Sequence, residues 1–506
     1  MRGVTDMTLG DKYLEMLKPK GIINNPSDAE LREWALEKGG VITEFGNLSV
    51  TTKVRNRIAK FTEVVMGELK PEDDQLIRKV MEYLKTKEMI QLDRVMCHNP
   101  PYKRNCRVYV TADYPRIPLM WGNTLFPSEG GEPDFVSITV AEWPDKRTIV
   151  FPESGLTVIM GSDYKGENKK AMLRQVMYWA KKNGNLGLHA ASKIIRVFRD
   201  GELKDFGFLL FGLSGTGKTS LSCHSHWLHS PERVVIRQDD VVILRSDGSA
   251  IGTEESFYLK TDALEPASQP LLYAAAISPR AILENVWVDP ETGRVDFFDT
   301  TLTSNGRGMV KRGDIAFTDD KIDLEKVNYM VFITRRSDVM PPVMRLSPEW
   351  AAAAFMLGES VETSAGDPAQ AGKSLRVVGT NPFIVGSEEE EGNMFLNFLR
   401  NNPDIQCFIL NTGTVGGDRG QNITVKDSVK VVENIARGNI EWRKDEFWGY
   451  EVPVHIPGID LNRFDLNSYY SEEQIQELSK DLKRERLEWL SQFKGLDKDI
   501  FKAIMP

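Results

Sequence analysis

Apolar and polar positions along this chain of 506 residues follow the periods of both helices and strands. "NPSDAELREWALEKGG" places Ser27 and Glu30 at capping-box spacing and ends in two glycines, which predicts a short helix. Apolar residues also recur at helical spacing over 72–91. "SEEQIQELSKDLKRERLEWLSQF" has a capping-box start at Ser471 and Gln474, and it predicts an amphipathic helix near the C-terminus.

Runs of strand-like residues lie between the predicted helices. "RVYVTADYPRIPLMWGN" and "KRTIVF" are predicted to be sheet segments, and "LTVIMGSDYKGENKKAMLRQVMYWAKKNG" predicts strand, turn and helix. "FGFLLF" is a short apolar run, and "RVVIRQDD", "YMVFITR" and "CFILNTG" are β-rich runs that end in polar residues. The pattern by itself therefore predicts a mixed α and β protein.

The composition favours a globular protein and argues against membrane, secreted and nucleic-acid-binding proteins. Hydrophobic residues make up 41% of the chain, which is enough for a substantial core and two or three subdomains. No window approaches 18 consecutive apolar residues, and "MRGVTDMTLGDKYLEML" lacks the apolar core of a signal peptide, so we expect a cytoplasmic protein without membrane segments. A net charge of -9 argues against nucleic acid as a partner. The scattered cysteines Cys97, Cys106, Cys223 and Cys407 fit reduced thiols.

Three further segments are predicted to be peripheral. The small and polar segment 358–379 has the composition of a mobile loop, and the acidic run 388–391 is interpreted as a solvated loop. "CHSHWLH" has a soft-metal composition, but on the expected helix only a subset of these side chains could face one ion. Its histidines are therefore predicted to be solvated or capping residues.

The clearest chemical signal is "GLSGTGKT" at 212–219, which matches the G-x-x-x-x-G-K-[ST] pattern of a phosphate-binding loop. Glycines let successive backbone N–H groups converge on an anion, Lys218 would neutralise the outer phosphates, and the Thr219 hydroxyl would ligate Mg²⁺. A glycine-rich turn without a ligand is the alternative, but it leaves the lysine unexplained.

Three segments carry candidates for the remaining chemistry. Asp239 and Asp240 end a β-rich run, where carboxylates of a nucleotide site would hold a cation, although two acids after a strand are often only a turn. Lys169 and Lys170 lie at the start of a predicted helix, and His189 follows in "GNLGLHAASK". Taken alone, paired lysines are usually solvated and a lone histidine is usually structural.

Taken in order, these segments resemble the ATP-dependent phosphoenolpyruvate carboxykinases. The similar segments run collinearly from about 57 to 437 and include "YKGENKK", "GLSGTGKT", "QDD", "LENVWVD", "NGRG", "MPPVMRLSPEWA" and "LNTG…ITVKDSVKVV". The resemblance implies a two-domain α/β fold. It consists of an N-terminal substrate-binding domain at 1–195 and a C-terminal nucleotide-binding domain at 196–506, which has a mixed sheet, the phosphate loop and a lid near 358–379.

The resemblance also implies a role for each matching residue. The implied catalytic residues are Arg57, Tyr164, Lys169, Lys170 and Arg307. The implied nucleotide-binding residues are Gly212, Ser214, Gly215, Thr216, Gly217, Lys218, Thr219, Ile423, Thr424 and Ser428. The implied metal ligands are Lys170, His189 and Asp240 for Mn²⁺ and Thr219 for Mg²⁺, with Asp239 in the outer shell.

Arg57 would bind a carboxylate of the substrate, Tyr164 would lie near its carboxylated end, and Arg307 would steady the phosphoryl group in transfer. The implied reaction converts oxaloacetate and ATP into phosphoenolpyruvate, ADP and CO₂, a gluconeogenic or anaplerotic step that uses Mg²⁺ and Mn²⁺. One alternative is a related small-molecule kinase with a different acceptor. Another is a non-catalytic nucleotide switch, which would not need Lys170, His189 and Arg307.

Overall fold

The structure is a computed structural model and describes residues 7–213, 215–361 and 374–505. The chain forms two compact units. The first unit comprises Met1–Trp179 and Thr253–Ala316, and the second comprises Ala180–Gly252 and Phe317–Pro506.

The helices in the described residues are α1 (Leu9–Met16), α2 (Asp28–Glu37), α3 (Pro71–Leu84), α4 (Arg116–Gly122), α5 (Lys165–Lys182), α6 (Lys218–Ser222), α7 (Pro270–Ala276), α8 (Pro348–Leu357), α9 (Glu388–Asn401), α10 (Val425–Arg437), α11 (Glu472–Ser491) and α12 (Lys498–Ile504).

The strands of the first half of the chain are β1 (Gly21–Asn24), β2 (Val41–Ile42), β3 (Leu48–Val50), β4 (Thr62–Val64), β5 (Glu88–Met96), β6 (Arg104–Thr111), β7 (Phe126–Pro127), β8 (Phe135–Val140), β9 (Arg147–Phe151), β10 (Leu156–Met160), β11 (Leu186–Leu188), β12 (Ala190–Arg199), β13 (Glu202–Phe211), β14 (Arg233–Gln238), β15 (Val242–Leu244) and β16 (Ala250–Gly252). The later strands are β17 (Ser256–Lys260), β18 (Ile282–Glu284), β19 (Trp287–Val288), β20 (Val295–Asp296), β21 (Arg307–Lys311), β22 (Tyr329–Thr334), β23 (Val343–Leu346), β24 (Glu359–Val361), β25 (Ser374–Arg376), β26 (Gln406–Asn411), β27 (Thr414–Val415), β28 (Gln421–Asn422), β29 (Glu441–Lys444) and β30 (Glu451–His455).

The first unit is built on two main sheets. One has the order β1-β5-β6-β8-β10-β9-β4, with β7 paired to β5. All six residues of β8 and all five of β10 are buried, so both faces of these central strands are covered. The other sheet has the order β17-β21-β18-β3-β2. Because β18 pairs in parallel with β3, segment 253–316 belongs to the first unit, and the compact units differ from the contiguous division at residue 195.

The second unit contains a mixed sheet with the order β14-β12-β13-β22-β26-β23-β30-β29. β13, β22 and β26 are parallel to one another, and the flanking pairs are antiparallel. Helix α8, "PEWAAAAFML", packs into the core of this unit, and its residues from Trp350 onward are buried. Since the carboxyl ends of parallel strands meet at one edge of a sheet, the segments that follow β13, β22 and β26 share that edge.

Most of the predicted elements are present. The capping boxes at Ser27 and Ser471 are confirmed, and each serine accepts a hydrogen bond from the backbone N–H three residues on. The strands predicted in "KRTIVF", "RVVIRQDD", "YMVFITR" and "CFILNTG" are confirmed as β9, β14, β22 and β26. The four cysteines are buried and no disulfide joins them, in keeping with the predicted reduced thiols. Within the described residues, no helix has the length and apolar character needed to cross a bilayer.

Other predictions of local structure were wrong. The helical pattern over 72–91 stops at Leu84, and β5 begins at Glu88. The later part of "RVYVTADYPRIPLMWGN" is the buried helix α4, because a short apolar run has the same composition in a buried helix and in a strand. Helix α6 ends at Ser222, so "CHSHWLH" is not helical.

The acidic run also differs from its prediction as a solvated loop. Glu388–Glu391 form the first turn of α9, where carboxylates favour the positive end of the helix dipole. Glu391 is buried, and burial raises the pKa of its carboxyl to about 7 despite the nearby Lys181. In the predicted lid, residues 362–373 lie outside the described residues, and the flanking strands β24 and β25 pair with each other.

Candidate functional site

The glycine segment in the second unit joins β13 to α6. Gly215 and Gly217 have φ angles of 82° and 93°, a left-handed conformation that favours glycine strongly. A Cβ atom at Gly212 would lie 2.5 Å from the Thr216 hydroxyl, which itself donates to Leu213 O at 2.8 Å. Ser214 lies outside the described residues. The backbone of this loop therefore depends on its glycines.

Residues at the ends of the neighbouring strands hold the loop. The Arg335 guanidinium after β22 donates to Gly215 O at 3.2 Å. The Thr412 hydroxyl after β26 lies 2.9 Å from Thr216 O and 3.1 Å from Thr334 O. Sequence reasoning noted that these strands end in polar residues but assigned neither Arg335 nor Thr412. Lys218 and Thr219 then open α6, half-buried, directly after the loop.

A histidine and an aspartate of the second unit meet at the start of β12 and the end of β14. His189 Nδ1 lies 2.6 Å from Thr380 O, and because a carbonyl only accepts, Nδ1 carries the proton. In the neutral ring, His189 Nε2 therefore presents its lone pair to Asp240 Oδ1, 3.0 Å away, and in the protonated ring it donates to that oxygen. Two acceptors at this separation need a proton or a cation between them, and a nitrogen and oxygen pair suits a divalent ion.

The observation that favours a metal site is the pair of His189 and Asp240. Asp239 is buried beside Asp240, in keeping with an outer position. Across 7–213, 215–361 and 374–505, no group of three or more His, Cys, Asp or Glu side chains could hold a metal ion. A cation on His189 and Asp240 would need ligands of other kinds, such as water. The predicted ligand Lys170 lies on α5 in the first unit.

The paired lysines on α5 are not a solvated face. Lys169 is buried, and its Nζ lies 2.6 Å from Glu254 Oε2, which is buried too. Lys170 is half-buried on the same helix. Sequence reasoning missed Glu254, because it is 85 residues away along the chain and has no motif of its own.

Arg307 and Tyr164 lie in one polar cluster of the first unit. Arg307 Nη2 donates to Asn305 Oδ1 at 2.7 Å, and Asn305 Nδ2 lies 3.3 Å from the Tyr164 hydroxyl. The Arg307 guanidinium also lies 5.6 Å from the centre of the Tyr258 ring. Burial by itself would lower the pKa of Arg307, but Tyr164 and Tyr258 outweigh burial and raise it. Arg307 is thus a fixed positive charge.

Two neighbours complete this cluster. The Tyr258 hydroxyl donates to Glu284 Oε2, and Lys165 Nζ lies 4.0 Å from the centre of the Tyr258 ring. Burial raises the pKa of the Glu284 carboxyl. The "LENVWVD" segment of the resemblance contains Glu284, but sequence reasoning assigned no role to it or to Tyr258.

Arg57 lies near the buried carboxylate of Glu167. Its Nε is 3.7 Å from Glu167 Oε1, and that oxygen accepts a hydrogen bond from the backbone N–H of Ile58 at 2.7 Å. Burial, and after it the charge of Arg57, lowers the pKa of Arg174 to about 10. The segment therefore brings two guanidinium groups close to the carboxylate of Glu167.

Three of the predicted nucleotide-binding residues, Ile423, Thr424 and Ser428, lie around the start of α10 in the second unit. Thr424 caps the helix and accepts from the backbone N–H of Asp427 at 3.1 Å. The Ser428 hydroxyl donates back to Thr424 O at 3.2 Å. Ile423 packs with Val415 and Phe464 in a small apolar cluster. The side chains of Thr424 and Ser428 therefore make hydrogen bonds within the first turn of α10, and the cluster around Ile423 forms an apolar surface.

The features described so far are those of a mixed α/β enzyme. They are a glycine loop between a strand and a helix, a histidine and aspartate pair that could bind a cation, and an arginine held in one orientation. A family profile described as phosphoenolpyruvate carboxykinase matches residues 20–462. The "Phosphoenolpyruvate carboxykinase (ATP)" of Aeropyrum pernix is 35% identical over 485 residues, 94% of this chain and 95% of the relative. That of Ruegeria pomeroyi is 26% identical and covers 89% of this chain and 87% of the relative.

A third relative, "Phosphoenolpyruvate carboxykinase (ATP) 2" of Salinibacter ruber, is 28% identical over 75% of this chain and 73% of its own length. The chain belongs to the family of the ATP-dependent phosphoenolpyruvate carboxykinases. The resemblance of the sequence is thereby confirmed. Membership makes the chain an enzyme that acts on small-molecule substrates, uses ATP and requires a divalent metal.

Proposed function

We propose that this chain catalyses the reversible conversion of oxaloacetate and ATP into phosphoenolpyruvate, ADP and CO₂. The observation that carries the proposal is the family match over residues 20–462, because every predicted site residue lies within that range. The geometry supports it with an oriented arginine in the first unit and a glycine loop in the second unit.

In the proposed reaction, the bond between the methylene carbon of oxaloacetate and its adjacent carboxylate breaks, and CO₂ leaves. The electron pair stays on the resulting enolate of pyruvate. The enolate oxygen attacks the terminal phosphorus of ATP, and the phosphorus–oxygen bond to ADP breaks. Phosphoryl transfer of this kind depends almost entirely on positioning and charge, so fixed cations are the groups that the chain must supply.

The residues of the first unit would bind the acceptor. Arg57 would pair with a carboxylate of oxaloacetate, and Tyr164 would lie beside its carboxylated end. Arg307, held by Asn305 at 2.7 Å, would steady the phosphoryl group without having to reorganise during transfer. Lys169, which is oriented by Glu254, would add positive charge beside the phosphates or the substrate.

The residues of the second unit would bind the nucleotide. Backbone N–H groups of 214–218 and the Lys218 ammonium would bind the triphosphate, and the segment from Ile423 to Ser428 would contact the base. His189 and Asp240 of this unit would hold Mn²⁺, and Thr219 would hold Mg²⁺. Lys170, the third predicted Mn²⁺ ligand, lies on α5 in the first unit. The bound cations would neutralise negative charge on phosphate and enolate oxygens.

The test is an assay of the purified protein with oxaloacetate and Mn²⁺ plus Mg²⁺, with ATP, GTP or pyrophosphate as donor. We expect phosphoenolpyruvate with ATP. Arg57→Gln should raise the KM for oxaloacetate far more than the KM for ATP, whereas Arg78→Gln, an exposed arginine of the same unit, should change neither. Absence of product with every donor would favour a kinase with a different acceptor, and a parallel loss of both affinities would show that Arg57 is misassigned.

A further inference from the structure

A buried lysine and a buried histidine lie next to helix α6 and have no assigned role. Lys193 on β12 is completely buried, and its Nζ lies 2.6 Å from Leu221 O and 2.5 Å from His226 Nε2. His226 is buried too, and its Nδ1 lies 3.1 Å from Val429 O on α10. The prediction of a solvated or capping histidine was therefore wrong for His226.

The directions of these hydrogen bonds follow from the acceptors. Val429 O only accepts, so His226 Nδ1 carries the proton and Nε2 is left as an acceptor. Lys193 consequently donates both to His226 and to Leu221 O. Burial, and next the charge of Lys193, holds the pKa of His226 well below its usual range, so the imidazole is neutral. Because both of its ring nitrogens are engaged, His226 is not available to a soft metal.

The Leu221 carbonyl belongs to the last turn of α6, a helix of five residues that begins at Lys218. The last carbonyls of a helix have no partner within it, and a lysine there satisfies them and complements the helix dipole. A helix this short is not stable by itself, so its position depends on such contacts. Lys193 thus holds the end of α6, and across the five residues of this helix it restrains the junction with the glycine loop.

The same hydrogen bonds extend to α10, the helix beside the other residues that are predicted to bind the nucleotide. Val429 lies in the first part of α10, directly after Ser428 and close to Thr424 and Ile423. One continuous path of buried hydrogen bonds therefore runs from α6 through Lys193 and His226 to α10. A buried network whose members are all satisfied holds its parts in one arrangement.

We propose that Lys193 and His226 are positioning residues for ATP, which fix the glycine loop relative to the start of α10 so that the triphosphate and the base are bound together. The proposal rests on the proposed function in one respect: the loop and α10 bind ATP. The lysine has no direct contact with the nucleotide in this scheme, and its effect passes through Leu221 and Val429.

The test variant is Lys193→Met, which keeps the length of the side chain and removes both donated hydrogen bonds. Calorimetric titration with MgATP alone should show affinity weakened about tenfold, since each buried hydrogen bond lost weakens the arrangement severalfold. In the assay, KM for ATP should rise by a similar factor, while KM for oxaloacetate should stay within about twofold of wild type. The matched control is Lys204→Met on β13, a half-exposed lysine in the same sheet, and it should bind MgATP like wild type.

A second comparison uses His226. In His226→Gln the amide oxygen can still accept from Lys193, whereas His226→Leu has a similar size and accepts nothing. The glutamine variant should retain more affinity for MgATP than the leucine variant. This pair carries the test if thermal unfolding shows that Lys193→Met does not fold.

Three outcomes would overturn the proposal: Lys193→Met binds MgATP like wild type, ATP and oxaloacetate lose affinity equally, or the two His226 variants behave alike. A failure of the proposed function is distinguishable from these outcomes. In that case the wild-type chain would bind MgATP but form no phosphoenolpyruvate, and the comparison of MgATP affinities would still decide the role of Lys193.

Discussion

Glu359, at the start of β24 in the second unit, carries a buried negative charge that three arginines share. Arg486 donates twice to Glu359 Oε2, from Nη2 at 2.6 Å and from Nε at 3.1 Å. Arg376 Nη2 lies 3.1 Å and Arg336 Nη1 3.3 Å from Oε1. Replacement of Glu359 by glutamine keeps the shape of the side chain and removes its charge.

The expected loss of unfolding free energy follows from the burial of Glu359 and Arg486. Glu359 and Arg486 are both shielded from water, and loss of one partner of a buried ion pair costs about 3–5 kcal/mol of unfolding free energy. Glu485 and Asp338 stay in place and neutralise part of the arginine charge, so we expect a value of about 3 kcal/mol for Glu359→Gln. Glu485→Gln is the matched control, because this carboxylate is 37% exposed and solvent screens its contacts, which leaves about 1 kcal/mol or less.

Urea unfolding followed by tryptophan fluorescence measures the difference. Trp350 and Trp448 report on this region, since the Arg486 guanidinium lies 5.5 Å and 5.0 Å from their ring centres. The midpoint for Glu359→Gln should fall well below that for Glu485→Gln. Equal midpoints, or a larger shift for Glu485→Gln, would refute the reasoning that burial decides the magnitude.

The contribution of Glu359 to stability should change with pH in one direction only. Burial by itself would raise the pKa of Glu359, but Arg486, Arg376 and Arg336 hold it well below its usual range. Its contribution to stability is therefore complete above the unfolded carboxyl pKa of about 4.3 and is lost as pH falls through the lower folded pKa. The difference in midpoint between wild type and Glu359→Gln should stay constant at neutral pH and shrink only below about pH 4. A difference that shrinks between pH 5 and 7 would contradict this assignment.

Three further predictions concern the site. Arg307→Gln should lower kcat for phosphoenolpyruvate formation by about a thousandfold and leave KM for ATP nearly unchanged, because the arginine acts on the group in transfer; an unchanged kcat would count against its role. Gly217→Ala places a Cβ at a φ of 93°, so MgATP affinity measured by calorimetry should fall by about tenfold, and an unaltered affinity would show that the loop tolerates the strain. His189→Ala removes the nitrogen that faces Asp240, so Mn²⁺ titration followed by electron paramagnetic resonance should show weaker binding, and identical binding would contradict the metal assignment.

Local signals in the sequence were enough for several parts of the site. The motif "GLSGTGKT" with an apolar run before it predicted a strand, a loop and a helix, and these are β13, the glycine loop and α6. The runs that form β22 and β26 were seen to end in polar residues, and Arg335 and Thr412 at those ends contact the loop. Such signals work because backbone conformation and strand burial depend on residues close in sequence.

Other parts could not be predicted, because the partners are far apart along the chain. The pairing of Lys169 with Glu254 spans 85 residues, and nothing near either residue marks the other. Lys193 is one of several polar residues in β12, and only its packing against α6 reveals what it binds. Glu391 looked solvated because composition carries no information about which face of a helix is covered.

The sequence alone determined the family, the mixed α and β class, the glycine loop and the capped helices, because these depend on short-range backbone preferences and on motifs of adjacent residues. Only the tertiary structure decided that segment 253–316 joins the first unit, that Asn305 orients Arg307, and that Lys193 and His226 connect α6 to α10. Those features arise where burial forces distant polar groups to find partners, and the choice among partners depends on the packing of the whole unit.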